Sequence, residues 1–196
     1  MRKKIKKDKE NKNIISCDVP SWKRFVAYMV DWYLGSMFIS LPMVMIYMKT
    51  TNTDELNVNL LQYPEKYALI AGGVGLVFAF FYYFIVPLKI WKGQTLGKRW
   101  CHFKITKGNG EDVTSKDLFL RQIIGIFIIE GSLISASNIL HQIMSLLSNK
   151  NFITPLMYLG IAISVISALL VLFRKDHKAI HDLIAKTKVI SIANPS

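Results

Sequence analysis

Cysteine is nearly missing from this chain, with two in 196 residues. A disulfide framework is excluded in practice, because Cys17 and Cys101 both fall in segments expected to face the reducing cytoplasm, and no cysteine-based metal site can be assembled from them. Acidic residues are also scarce, 13 against 25 Lys and Arg, for a formal charge of +12. Several catalytic and nucleotide-binding patterns are absent. G-Q-T-L-G-K at 93–98 is too short for a phosphate loop, and Arg99 stands where Ser or Thr is required. His177 and His181 are one helical turn apart but H-E-x-x-H does not occur, and two histidines do not make a metal site. No nucleophile motif accompanies Glu130 and His141, which lie about 16 Å apart along one helix. The chain is therefore expected to be no enzyme and to need no cofactor or metal.

Apolar residues, by contrast, are abundant. They make up 52% of the chain, and the mean hydropathy is +0.30. They gather in four blocks, about 23–48, 66–87, 118–147 and 152–173, each long enough for the roughly 20 residues that a membrane span needs. The third block is spotted with polar residues, so an interfacial helix is its alternative reading. The basic residues sort by connection. Nine lie at or before Arg24, eight between 88 and 121, and five from Arg174 onward, leaving only Lys49, Lys66 and Lys150 for the other two connections. The positive-inside rule then places both termini and the middle connection in the cytoplasm. The 1–12 tract has the charge of a signal-peptide start, but no short apolar core or small-residue cleavage site follows, so the first span is read as uncleaved. Basic residues beside spans are explained by topology and anionic headgroups, and no nucleic acid partner is inferred.

Charges inside the apolar blocks are the candidates for function. Arg24 and Asp31 are seven residues apart, which returns a helix to nearly the same face about 10 Å further along. A carboxylate in the membrane core costs about 2.5–3.5 kcal/mol, so Asp31 requires a partner, a hydrated cavity or a bound proton. Tyr28 lies between the two charges on that face. In the third block Glu130, Ile134, Ser137 and His141 recur at helical spacing. Ser21 is expected to cap the first helix and Ser115 the third. W-C-H-F-K-I-T followed by K-G-N-G-E-D reads as a strand and a tight turn.

Three stretches together resemble the RDD family of bacterial membrane proteins, named for one arginine and two aspartates. R-x-x-A-x-x-x-D is matched by Arg24, Ala27 and Asp31. G-x-T-x-G-K-R is matched by Gly93, Thr95, Gly97, Lys98 and Arg99. H-D-L-I-A-x-T-x-V is matched by His181, Asp182, Leu183, Ile184, Ala185, Thr187 and Val189. The resemblance covers about 20–190 and implies a role in transport, with cation/proton exchange suggested for some relatives. The expected fold is an all-α membrane protein, a four-transmembrane-helix bundle with a short cytoplasmic β-hairpin-like loop and a docked C-terminal segment. Its domain spans 21–190, between a basic 1–20 tail and a short 191–196 tail.

The expected charge network is Arg24, Asp31 and Asp182, with Tyr28, Arg99, Arg121, Glu130 and His181 as secondary members. Asp182 is expected to pair with Arg24 or Arg99, and Tyr28 to hydrogen-bond Arg24 or Asp31. Two readings stand open. In the leading reading Asp31 lacks partners and becomes a proton carrier, alone or with Glu130, in a small transporter of a cation or solute, working as a homo-oligomer or with a partner membrane protein. If the network is complete, it locks the tail and inner loop to the first helix, as suits a membrane-anchored scaffold or accessory subunit without flux.

Overall fold

The computed structural model describes residues 19–131, 135–174 and 176–192. The basic 1–18 tract with Cys17, Ile134 of the polar row, and 193–196 lie outside these residues.

Helix α1, Ser21–Thr51, is long enough to cross a bilayer with turns to spare. Its buried residues are Ala27, Asp31, Gly35, Ile39, Met43 and Tyr47, one every fourth position. This spacing draws a single stripe along the helix, and bulky side chains outside it, such as Phe25 and Leu41, are exposed. Pro20, not Ser21, occupies the cap position, and no side chain caps the helix. Pro42 sits inside the helix without ending it. Asn52 ends it in the left-handed conformation at φ 52°.

Helix α2, Glu65–Ile90, returns across the bundle. It widens to a π-helix over Phe81–Ile90, where Tyr82, Tyr83 and Phe84 are all buried in succession. The wider turn brings neighbouring side chains inward together, which a regular helix would spread around its circumference. Gly72 and Gly75 let α2 approach Leu60, Met43, Ile139 and Ile143 closely.

The third block is broken. Helix α4, Ser115–Glu130, is bent by 61° from helix α5, Ser135–Ser148. Arg121 of α4 bonds to the C-terminal segment, whereas Gln142 Oε1 of α5 accepts from Leu60 N, 2.6 Å away in the connection between α1 and α2. The pair therefore has contacts at both ends of the bundle, and only together are the two helices long and apolar enough to cross a membrane. Helix α6, Ile153–Phe173, makes the last crossing. The core at the far end joins Ile39, Met43 and Tyr47 to Leu60, Tyr63, Ala71 and Ile139.

A cap covers the basic end. It contains helix α3, Leu96–Trp100, strand β1, Phe103–Lys107, helix α7, Ile180–Ala185, and strand β2, Thr187–Ser191. The strands pair antiparallel from Phe103↔Ser191 to Lys107↔Thr187. The hairpin-like loop expected after β1 is present in short form, with Lys107 N donating to Glu111 O at 2.9 Å, while the sheet itself is completed by the tail strand. The chain does turn after β1, with Gly110 at φ +88°, but returns only an isolated bridge, Thr106↔Asp112. The polar G-E-D stretch has no apolar face to bury, whereas β2 contributes Val189 to a cluster with Phe103, Ile105, Ala27 and Leu118. Thr114 rather than Ser115 caps α4, forming a capping box with Asp117.

Candidate functional site

Asp31 lies ten residues into α1, roughly 15 Å from its start, and is 4% exposed. Four donors reach its two oxygens. Tyr82 Oη and Gly97 N donate to Oδ1 at 3.0 and 2.9 Å; the Thr95 hydroxyl and Lys98 Nζ donate to Oδ2, the lysine at 3.1 Å. Lys98 Nζ also donates to Thr95 Oγ1 at 3.0 Å, and Tyr83 Oη to the Asp31 backbone oxygen at 3.0 Å. One cation and three neutral donors thus satisfy a charge that burial alone would make costly.

Glycine is required at position 97. A β-carbon there would overlap the Ala27 carbonyl oxygen and stand 3.0 Å from Asp31 Cγ. The start of α3 is therefore pressed against α1 backbone to backbone. Gly93 has φ +74°, and its carbonyl accepts from Ile105 N at 2.8 Å, tying the same connection to β1.

A second ion pair joins the tail to α4. Arg121, 3% exposed, donates through Nη1 to Asp182 Oδ1 and at 2.7 Å to Thr187 Oγ1. Thr187 Oγ1 donates to Asp182 Oδ1 at 3.2 Å, and Ala179 N donates to Asp182 Oδ2 at 3.3 Å. Burial pushes the Asp182 carboxyl up, but the Arg121 guanidinium, His181 and these hydrogen bonds outweigh it and hold the group below its ordinary value. Among the described residues, Arg121 Nε and Gln122 Nε2 are buried without a hydrogen-bond partner.

Glu130 makes the third junction. His181 N donates to its Oε1 at 2.8 Å, His181 Nδ1 stands 2.8 Å from Oε2, and Ser167 Oγ donates to Oε1 at 2.8 Å. Gly125 permits the approach, since a β-carbon there would press on His181 Cβ at 2.6 Å.

The expected residues therefore gather in two places, around Asp31 and around Asp182 with Glu130, the latter two linked by His181, whose Nε2 lies 3.7 Å from Asp182 Oδ2. Asp182 pairs with Arg121, not with Arg24 or Arg99. Arg24 donates to the backbone oxygens of Val19, at 3.2 Å, and His177, which ties the tail to the start of α1. Arg99 lies over the Trp91 ring, 5.0 Å from its centroid. Tyr28 is not one of the four donors to the Asp31 carboxylate and lines a groove beside α6. The network also includes Thr95, Gly97 and Lys98, which the G-x-T-x-G-K pattern places at the right spacing, Thr187 of the tail pattern, and Tyr82, Tyr83 and Ser167, for which no local signal exists. Among the described residues no group of three His, Cys, Asp or Glu gathers as a metal site would need.

Comparison with known proteins places these contacts in context. The RDD family profile matches residues 19–186. Uncharacterized protein YckC of Bacillus subtilis (strain 168) is 24% identical over 168 residues, covering 86% of this chain and 81% of that one. No solved structure matches.

Proposed function

This chain belongs to the RDD family, and from that premise we propose that it works as a membrane-anchored accessory subunit whose charged residues clasp a basic cytoplasmic cap to the bundle. The observation that carries this reading is the saturation of Asp31: four donors, 4% exposure, and no vacant lone pair that a carried proton would need. Each of the family-pattern blocks supplies one side of a junction. Asp31 meets the loop block, and the tail block meets α4. The excess of Lys and Arg on this end argues for its cytoplasmic placement in the cell membrane. On this reading the protein is not an enzyme, and its working surface is the rigid cap.

The test is reconstitution. Proteoliposomes holding the wild-type chain should keep an imposed pH gradient as well as empty liposomes when Na⁺ or K⁺ is added. Asp31→Asn should instead speed proteolysis of the 93–117 connection. Gradient dissipation by the wild type, lost in Asp31→Asn with the cap still protected, would overturn the accessory reading.

One observation favours a second reading, transport of a cation or small solute. Glu130 ends α4 at the break in the third span, and broken helices are where transporters commonly place their ion sites. Its proton-coupled group would then be Glu130 with His181. Dissipation abolished by Glu130→Gln but retained in Asp31→Asn is the result expected of it.

A further inference from the structure

A lateral groove of about 360 Å³ runs between α1 and α6 at the capped end, with α4 as its floor. That volume falls within the roughly 300–1,000 Å³ of ligand sites in general. Its walls are apolar. Phe25 and Tyr28 stand on α1, Ala168 and Leu172 on α6, and Ile126 below. The rim continues the surface that these helices present to lipid, where Phe25 and Leu172 are 64% and 58% exposed. Polarity changes along its length. Ser21 and Arg24 line the shallow end, in the first turn of α1, and Tyr28 lies seven residues, about 10 Å, deeper. At the deep side the Glu130 carboxylate is engaged by His181 and Ser167.

We infer that this groove is a binding site for one phospholipid of the surrounding bilayer, with part of one acyl chain between α1 and α6 and the phosphate beside Arg24 and Ser21. Three features converge on that occupant. The opening faces sideways, between two helices long and apolar enough to cross the membrane, so the ligand arrives from the bilayer. The body of the groove offers contacts suited to methylenes, each worth about 0.8 kcal/mol when buried. The Arg24 guanidinium, held in place by the Val19 and His177 backbone oxygens, lies at the end where a headgroup would stand, close in sequence to the exposed Trp22. The groove shares Glu130 and His181 with the second reading above, but lipid retention is read separately from gradient dissipation and depends on neither reading.

Native mass spectrometry of the full chain, delipidated in detergent and titrated with dioleoyl phosphatidylglycerol, tests it. The wild type should retain one lipid per chain. Ala168→Trp fills the groove from an exposed position, and Phe25→Ala removes part of a wall that is also exposed; each should lower occupancy at least tenfold. Leu169→Trp, on lipid-facing surface outside the groove, should bind as the wild type does. Failure of the wild type to retain lipid would overturn the inference, as would equal retention by Ala168→Trp. Oleic acid retained more tightly than the phospholipid would also overturn it, because the site would then belong to a free fatty acid.

Discussion

Replacing Gly97 by alanine adds one methyl group where α3 crosses α1. The added carbon would overlap the Ala27 carbonyl oxygen and lie 3.0 Å from both the Ala27 carbonyl carbon and Asp31 Cγ. None of these atoms belongs to the far end of a flexible side chain, so α3 must back away from α1. Overpacking of this kind costs about 1–3 kcal/mol. Backing away also lengthens the 2.9 Å bond from Gly97 N to Asp31, and a hydrogen bond to a charged group contributes about 1.5–3 kcal/mol. The combined effect is on the order of 3–5 kcal/mol against the closed cap, which lowers its closed-to-open ratio by roughly two to four orders of magnitude. Trypsin digestion in nanodiscs reads this directly, through cleavage at Lys98, Lys104 and Lys107 when opening is fast relative to cutting. Gly73→Ala is the matched control, because nothing lies within 4 Å of the added carbon. Its cleavage rate at these lysines should equal the wild type's. Equal rates for Gly97→Ala and the wild type would show that the approach of α3 to α1 does not hold the cap.

Other perturbations test the remaining junctions. Asp182 is depressed in the folded state, so its contribution to stability is fully present above the unfolded carboxyl value of about 3.9 and is lost as pH falls through the lower folded value. Hydrogen exchange of β2 should therefore stay slow at neutral pH and rise only in acid, below about pH 4; Asp182→Asn should remove that acid dependence. Arg121→Ala leaves Asp182 buried without its cation and should destabilise the cap by about 3–5 kcal/mol, measured by denaturant-induced opening of β2. The double variant with Asp182→Ala should cost less than the two single effects combined. Burial raises the Cys101 thiol above its ordinary value, the Asp31 charge adds to this, and Lys23 and Lys98 partly offset it. Maleimide labelling of Cys101 at pH 7 should be slower than that of an unperturbed thiol, and faster in Gly97→Ala as the cap opens.

Local pattern carried much of this architecture. Apolar runs near 20 residues and the sorting of Lys and Arg among connections both act over one segment at a time, so they yield the all-α membrane class directly from sequence. The need for a partner at Asp31 was equally legible, because a carboxylate's desolvation cost depends only on its depth in an apolar run. The partners' identities were not. Arg121 and Asp182 are 61 positions apart, and their meeting depends on α7 resting at Gly125, a contact with no periodic signal. The bend between α4 and α5 was likewise not resolved, because polar residues are spread through the third block and do not single out one position.

The strands make the same division at a smaller scale. β-branched composition in F-K-I-T-K and T-K-V-I-S favours extended chain in each, yet the turn after Lys107 pointed to a local hairpin. Pairing was decided by burial, since the tail strand places the buried Val189 in the cluster beneath the cap, whereas the returning segment adds only the partly buried Val113. Sequence alone determined which segments enter the membrane, which end carries the positive charge and which acidic group needs compensation, because each follows from the local free energy of transfer. Only the tertiary structure decided that Asp31 is saturated by the inner loop while Asp182 turns to α4. Those choices depend on which backbones approach closely enough to exclude water, and approach is a property of the packed bundle.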